Sequence, residues 1–134
     1  MQKNKKYLSI IGLFILNTFF YSCSKEININ DYIDKNTALR LTDNSNGITT
    51  LCVVEIAANS EKFKEIIEWG SMNEDGWQWT PATYLPGVSV RQGGFLLMRT
   101  KDGKAVVISF TGKDGKSQQY SKTIDKGELD FLTK

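Results

Sequence analysis

The sequence predicts an α+β domain in which one amphipathic helix packs on a mostly antiparallel sheet that ends in a three-stranded meander. Three observations lead to this fold class. One stretch has apolar residues at helical spacing, two strand-like runs precede it, and two Asp-Gly turns separate three strand-like runs after it. Strands grouped on either side of a single helix are typical of α+β domains and not of alternating α/β folds.

Two strands are predicted before the helix. Residues 38–42 alternate apolar and polar side chains, and residues 43–47 supply the Asn and Gly that tolerate a tight turn. Residues 48–57 are mostly apolar and β-branched, which predicts a central strand covered on both faces. Cys52 lies in this run, so we expect it to be a small buried core residue and not a reactive thiol.

The helix is predicted over residues 60–69, with Asn59 or Ser60 as its N-cap. Its charged side chains fall on the opposite face from its apolar ones, so the apolar face is expected to lie on the sheet. The residues of that face are Phe63, Ile66 and Ile67.

The meander follows from a repeated turn sequence. Lys-Asp-Gly-Lys occurs at residues 101–104 and 113–116, and Asp-Gly is a strong hairpin signal between alternating runs. The three strands are predicted over residues 95–100, 105–111 and 117–124.

The register of the first hairpin stays open at this point. A two-residue turn places Leu97 opposite Ile108, whereas a three-residue turn places it opposite Val107, and this slip exchanges the two faces. After the meander, a short helical turn near the C-terminus is expected to bury Leu129 and Leu132.

Composition excludes several classes of function. The chain has no histidine, so it lacks the commonest zinc ligand and the usual base of serine and cysteine hydrolases. Residues 1–22 hold three lysines and no acid, so 17 basic and 15 acidic side chains become 14 and 15 without them, a charge of −1. Nucleic acid is therefore not an indicated partner, and the sequence has no motif for a metal or a cofactor.

The N-terminus has the features of an export signal. Three lysines precede an uncharged stretch of 15 residues, 7–21, which ends at Ser22 and Cys23. A membrane-spanning helix needs about 20 apolar residues, so this stretch favours a cleaved signal over a permanent span. A small residue followed by cysteine at this position resembles the lipobox of bacterial lipoproteins, and the alternative is an ordinary secretory signal with a coincidental cysteine.

The resemblance implies an address for the protein. Residues 1–22 would be a lipoprotein signal peptide, and Cys23 would carry acyl chains such as palmitate as the first residue of the mature protein. Ser24 stands where an aspartate tends to keep Gram-negative lipoproteins at the inner membrane, so the resemblance favours the outer membrane, on its periplasmic or its outer surface. The membrane would then be a partner through the lipid alone.

Two interpretations of the next segment stay open. Residues 23–37 form the lipidated cysteine and a polar stretch that suits a tether, of which 14 flexible residues would span about 20 Å. Ile27 and Ile29 alternate with polar residues, so part of the stretch could instead dock as an edge strand. Residues 38–134 are predicted to form one small domain.

The segment between helix and meander is the candidate binding surface. It has little periodicity, it is stiffened by two prolines, and its tryptophans two positions apart share one face of an extended backbone. Aromatic faces suit a sugar ring or a protein partner, whereas the alternative is that these indoles close the core together with Trp69. The candidate binding residues are Trp77, Trp79, Tyr84, Glu74 and Asp75.

Three functions are compatible with these features. The first is a non-enzymatic recognition domain that binds a protein partner in the envelope, similar in size and address to inhibitor and immunity proteins. The second is a lipoprotein that binds a glycan or a peptidoglycan fragment through the same indoles. The third is an acid-dependent hydrolase that uses Glu74 or Asp75, which the solvated surroundings of these carboxylates do not favour.

Overall fold

The computed structural model of the protein describes residues 23–45 and 52–134. Seven strands form a single sheet in which every neighbouring pair is antiparallel, in the order β2-β1-β4-β5-β6-β7-β3. The strands are β1 (Leu39–Asp43), β2 (Cys52–Ile56), β3 (Gln78–Trp79), β4 (Pro86–Gln92), β5 (Phe95–Thr100), β6 (Ala105–Thr111) and β7 (Ser117–Thr123).

Helices are few in this part of the chain. The described residues hold one α-helix, α1 (Glu61–Met72), and 3-10 turns at Ile29–Tyr32 and Asp130–Thr133. The α+β class predicted from the sequence is therefore confirmed, with the sheet as the larger part. The predicted signal peptide, residues 46–47 of the predicted turn and residues 48–51 of the predicted second strand lie outside the described residues.

One face of the sheet forms the core. The register places Leu41, Val90, Leu97, Ile108 and Tyr120 in a row across five adjacent strands, and all five are buried. The two ends of the same row, Val54 opposite Leu41 and Trp79 opposite Tyr120, are 51% and 66% exposed. The core thus lies over the middle of the sheet and leaves both edges uncovered.

The helix contributes four buried residues to this core. It begins after Ser60, whose side chain accepts a hydrogen bond from the Phe63 amide at 3.3 Å and so satisfies a free donor of the first turn. The helix extends three residues beyond the prediction and ends at Met72, where the Asn73 amide donates to the Gly70 carbonyl. The buried residues are Phe63, Ile66, Trp69 and Gly70.

The segment before β1 is packed against the domain and is not a free tether. Ile27, Ile29 and Ile33 are buried in the same core cluster as the strands. Lys25 forms an isolated antiparallel bridge with Trp77, with hydrogen bonds of 2.7 and 3.2 Å in the two directions. Of the two interpretations of this segment, docking describes the structure, although through a 3-10 turn and a single bridge and not through a strand.

The prediction for the second strand was wrong. Among the described residues β2 is the outermost strand of the sheet and pairs with β1 alone, and its side chains from Cys52 to Glu55 are exposed. Cys52 is accordingly not a core residue. A continuous apolar run is compatible with a central strand. The position of β2 in the sheet, however, is decided by β4, which pairs with the other side of β1 and so leaves β2 at the edge.

The structure settles the register that the sequence left open. Leu97 lies opposite Ile108, so Leu97 and Ile108 face the core and Val107 faces the other side of the sheet. The Asp102 carboxylate closes the turn by accepting hydrogen bonds from the Thr100 hydroxyl at 2.6 Å and the Lys104 amide at 3.1 Å. Gly103 has φ of +69°, the left-handed conformation that such a turn requires.

The C-terminus closes one end of the core. Leu129 and Leu132 are buried, as the sequence predicted. The Arg99 guanidinium pairs with the Asp130 carboxylate at 2.5 Å, and the Lys62 ammonium donates to the Leu132 carbonyl at 3.3 Å. These contacts connect the last turn to β5 and to α1.

Candidate binding site

The connection between β3 and β4 has to cross the sheet. β3 is an outermost strand, whereas β4 lies between β1 and β5, so the connection passes β7, β6 and β5. We call residues 80–85 the crossing loop. The Tyr84 hydroxyl lies 3.4 Å from the Ser121 hydroxyl, and Ser121 follows the core residue Tyr120, so the loop lies on the face opposite to the core.

Hydrogen bonds to β7 fix the start of the crossing loop. The Thr80 amide donates to the Gln119 carbonyl at 3.2 Å. The Gln119 side-chain amide donates in return to the carbonyls of Thr80 at 3.2 Å and Ala82 at 2.8 Å. These bonds replace the regular strand pairing that ends at Trp79, so the loop has a defined conformation.

Tyr84 holds the middle of the loop. Its hydroxyl lies 3.1 Å from the Thr80 hydroxyl in addition to its contact with Ser121. The hydrogen bond with Ser121, and next the one with Thr80, lowers the pKa of Tyr84 below its ordinary value. The phenol is half-buried between the loop and the sheet. Tyr84 therefore supports the conformation of the loop more than it offers a surface to a partner.

A groove lies where the loop reaches β5. It has a volume of about 440 Å³, within the usual range for small-ligand and side-chain pockets. Leu85 forms part of its wall and is 76% exposed, although its carbonyl accepts a hydrogen bond from the Lys101 amide at 2.9 Å. The residues that line the groove are Thr83, Tyr84, Leu85, Thr100, Lys101 and Asp102.

The groove contains one anion and one cation. The hydrogen bond from the Thr100 hydroxyl, and next the one from the Lys104 amide, lowers the pKa of Asp102, so this carboxylate is ionised at neutral pH. Lys101 is exposed beside it. An exposed leucine beside charged side chains resembles, on a small scale, the apolar centre and polar rim of a protein interface.

Trp77 is not available to a partner, which corrects the prediction for this residue. Its side chain is fully buried. The indole N–H donates to the Asn73 carbonyl at 2.8 Å, and the ring meets Trp69 edge-on at 6.4 Å. The backbone bridge to Lys25 holds it there, so the interpretation that an indole closes the core is right for Trp77.

Trp79 is exposed and lies on a different surface from Tyr84. Trp79 pairs with Tyr120 in the sheet and therefore points to the core side, just beyond the edge of the core. Tyr84 lies on the opposite face. The predicted single surface from Trp77 to Tyr84 is thus divided by the sheet into two.

The two acidic candidates are placed apart from the groove. Glu74 is half-buried, and its backbone carbonyl accepts a hydrogen bond from the Ile27 amide at 2.8 Å. Asp75 is exposed in the same turn between α1 and β3. Neither carboxylate lines the groove, so the geometry gives no support to a hydrolytic role for them.

Five residues of the groove are not among the candidates that the sequence indicates. Thr100, Lys101 and Asp102 have only the pattern of a strand end and a hairpin turn, and Thr83 and Leu85 lie beside more conspicuous aromatic residues. The available signal was an apolar residue directly before Pro86 in an otherwise polar loop. Their proximity to the loop depends on the crossing of the sheet, which no local pattern encodes.

Residues 23–45 and 52–134 contain no group of three or more acidic or cysteine side chains placed to hold a metal ion. Among the same residues, no helix is long and apolar enough to cross a membrane. Comparisons of the chain with protein-family models, with curated proteins and with solved structures found no match.

Proposed function

We propose that the protein is a lipid-anchored envelope protein whose non-enzymatic domain recognises a protein partner through the groove beside the crossing loop. The observation that carries this proposal is the exposure of Leu85 at the wall of a charged groove. Removing a large apolar side chain from water is favourable by about 25 cal/mol per Å² of buried apolar surface. A partner that covers Leu85 therefore gains binding free energy.

The rigidity of the loop supports the same proposal. Thr80 and Ala82 are bonded to Gln119, and Tyr84 is bonded to Ser121, so the groove exists before a partner arrives. A preformed site avoids the entropy cost of ordering a loop on binding. This is the arrangement expected of inhibitor-like and immunity-like proteins, which insert a rigid surface into a target.

The scaffold belongs to the proposal as well. We infer that the amphipathic helix packs its apolar face on the sheet and that β5, β6 and β7 act as a meander that supports the loop. Phe63 and Ile66 share the buried cluster with strand residues, and the loop is bonded to Lys101 in the turn after β5 and to Ser121 in β7. Such a scaffold keeps the groove in a fixed conformation, while the lipid keeps the domain at the membrane.

The anchor is the second part of the proposal. Cys23 is exposed at the start of the described domain, where its sulfur is free to be acylated. We infer that residues 1–22 are removed and that the acyl chains on Cys23 provide attachment, most favourably to the outer membrane.

The test of the anchor is metabolic labelling with radioactive palmitate in a Cys52→Ser background, which removes the other exposed thiol. Label should enter this protein and should be lost on Cys23→Ala, and equal label in both would contradict the anchor.

Site-specific photo-crosslinking tests the groove. A benzoylphenylalanine in place of Leu85 should capture a discrete envelope protein, because the probe lies at the wall of the proposed site. The matched control places the same probe at Val53, which is also exposed but lies on the outermost strand at the other edge. Capture of the same proteins from both positions, or of none from Leu85, would contradict a partner at the groove.

A glycan-binding function is the second candidate, and the exposed indole of Trp79 favours it. A flat aromatic face can stack on a sugar ring, but Tyr120, the aromatic residue opposite Trp79, is buried, so one exposed indole gives a small contact. Titration with peptidoglycan fragments, followed by tryptophan fluorescence, should give a saturable change that disappears in Trp79→Phe if this candidate holds. A flat titration leaves the protein partner as the function.

A further inference from the structure

The domain begins almost immediately after the proposed lipid. Lys25 is paired with Trp77 by two backbone hydrogen bonds, so Ser24 is the one residue between Cys23 and the hydrogen-bonded part of the fold. The Lys25 ammonium also lies 3.2 Å from the Tyr120 hydroxyl and 5.1 Å from its ring centre. The start of the mature chain is therefore attached to one particular edge of the sheet.

The register of this bridge points Cys23 toward Trp79. In an antiparallel pair, two residues back on one strand face two residues forward on the other. The isolated bridge joins Lys25 and Trp77, and extending its register by two residues brings Cys23 opposite Trp79. Side chains two positions apart share a face, so Cys23 is on the same side of the sheet as Lys25 and the exposed indole.

The distances leave little room between lipid and indole. Two extended residues span at most about 7 Å, and neighbouring strands lie about 4.8 Å apart. With two extended residues on each strand, the backbone at Cys23 lies at most about 19 Å from the backbone at Trp79, and about 5 Å from it where the register of the bridge continues. The interfacial layer on each side of a bilayer is about 5–8 Å thick, so an acyl chain inserted at Cys23 brings this edge to the membrane.

The side chain at this edge suits that environment. Trp79 is 66% exposed and ends the core-side row beyond Tyr120. Tryptophan is enriched at membrane interfaces, where its apolar ring and polar N–H meet both lipid and water. We propose that the β3 edge lies in the interfacial layer of the membrane that holds Cys23, with Trp79 inserted among the lipid headgroups. This inference rests on the proposed lipid anchor.

The orientation has a consequence for the groove. Trp79 and the crossing loop lie on opposite faces of the sheet, so an inserted Trp79 leaves Leu85 free for a partner in the aqueous phase. The β2 edge lies six strand intervals away, about 29 Å, and points away from the bilayer. The lipid thus determines which surface of the domain is presented.

Fluorescence quenching by lipid measures this orientation. The acylated protein, reconstituted into vesicles of phosphatidylethanolamine and phosphatidylglycerol doped with phosphatidylcholine brominated near the top of its acyl chains, should lose about half of its exposed indole emission, because an interfacial tryptophan lies directly above bromines at that depth. Trp69 and Trp77 are buried in the domain, so Trp79→Phe should remove nearly all of the quenching.

A relocated indole provides the matched control. The double variant Trp79→Phe/Val54→Trp places an exposed indole in the same row at the opposite edge of the sheet. Its emission should be unaffected by the brominated lipid.

The outcomes separate the two proposals. Quenching of Trp79 alone supports the orientation. Equal quenching at both edges, or none at Trp79 in protein that carries palmitate and floats with the vesicles, overturns the orientation and leaves the anchor standing. Absence of both palmitate and flotation overturns the anchor, and with it the orientation.

Discussion

Trp77 and Trp79 are two positions apart in the chain, yet one is buried and the other is exposed. Both point to the same side of the β3 strand, as the alternation of an extended backbone predicts. Trp77 is covered by the helix end and by the bridge from Lys25, whereas Trp79 has no such cover. The sequence therefore indicates the shared face of the two indoles. The burial of Trp77, however, depends on Lys25, which is 52 positions away in the chain, so no local pattern could predict it.

Alanine substitution should separate these two tryptophans. Trp77→Ala should lower the free energy of unfolding by about 3–5 kcal/mol, because it leaves a large cavity in the core. Trp79→Ala should change it by less than about 1 kcal/mol, because most of the ring is already in water. Urea unfolding followed by circular dichroism measures both. A larger loss for Trp79→Ala than for Trp77→Ala would contradict the placement of the two indoles.

Cys52 gives a second test at the residue scale. Its thiol is exposed on the outermost strand, so Cys52→Ser should change the free energy of unfolding by less than about 0.5 kcal/mol. The thiol should also react with a maleimide in the folded protein at the rate of a free cysteine. Protection from the reagent until denaturant is added would show that the strand is covered.

At the scale of elements, the helix and the turns were predictable and the order of strands was not. Ser60, the apolar spacing after it and the two Asp-Gly turns are local signals with local causes. β2 was assigned to the centre of the sheet because its residues are apolar, yet it has one neighbour. Which strand is outermost depends on β4, which follows the crossing loop and inserts between β1 and β5.

The contact between α1 and the N-terminal 3-10 turn depends on Gly70. A Cβ at this position would lie 2.6 Å from Ile29 Cγ1 and 2.8 Å from the Asn30 side-chain oxygen. Gly70→Ala gains about 1 kcal/mol of helix propensity, but the overpacking costs about 1–3 kcal/mol, so a net loss of stability is expected. Lys64→Ala, at an exposed position of the same helix, should be near neutral. A more stable Gly70→Ala variant would show that the 3-10 turn is not packed there.

The pairing of β1 with β4 places two like charges opposite each other. Arg40 faces Arg91 directly, and both side chains are exposed. Arg91→Glu should raise the free energy of unfolding by about 0.2–1 kcal/mol, because an opposite-charge pair replaces a like-charge pair. Arg91→Gln removes the repulsion without adding an attraction and should lie between wild type and Arg91→Glu. Chemical unfolding at low salt gives the order, and the reverse order would contradict this register.

For the whole molecule, the carboxylates determine the acid limit of stability. Hydrogen bonds lower the pKa of Asp34, Asp43 and Asp102 below the ordinary value of 3.8; the largest contributions come from the Asn36 amide, the Ser45 side chain and the Thr100 hydroxyl, respectively. A lowered folded-state pKa adds stability that is complete above the unfolded value and is lost as the pH falls through the folded value.

The unfolding temperature should therefore be flat above about pH 5 and should fall as the pH goes below about 4. Thermal unfolding followed by circular dichroism, at a series of pH values from above about 5 to below about 4, gives the dependence of the unfolding temperature on pH. Asp102→Asn should show a smaller fall than wild type, because one of the three contributions is gone. A profile that is unchanged by this substitution would show that the turn carboxylate does not stabilise the fold.

The proposed orientation of the domain at the membrane depends on the N-terminal segment being part of the fold. Native-state hydrogen exchange, read by NMR at single amides, measures this directly. The amides of Lys25 and Trp77 donate to each other's carbonyls and the Ile27 amide donates to the Glu74 carbonyl, so all three should exchange with protection close to that of the β5 and β6 core amides. Exchange of Lys25 and Ile27 at the rate of an unstructured peptide, beside a protected sheet, would show instead a free tether between lipid and domain.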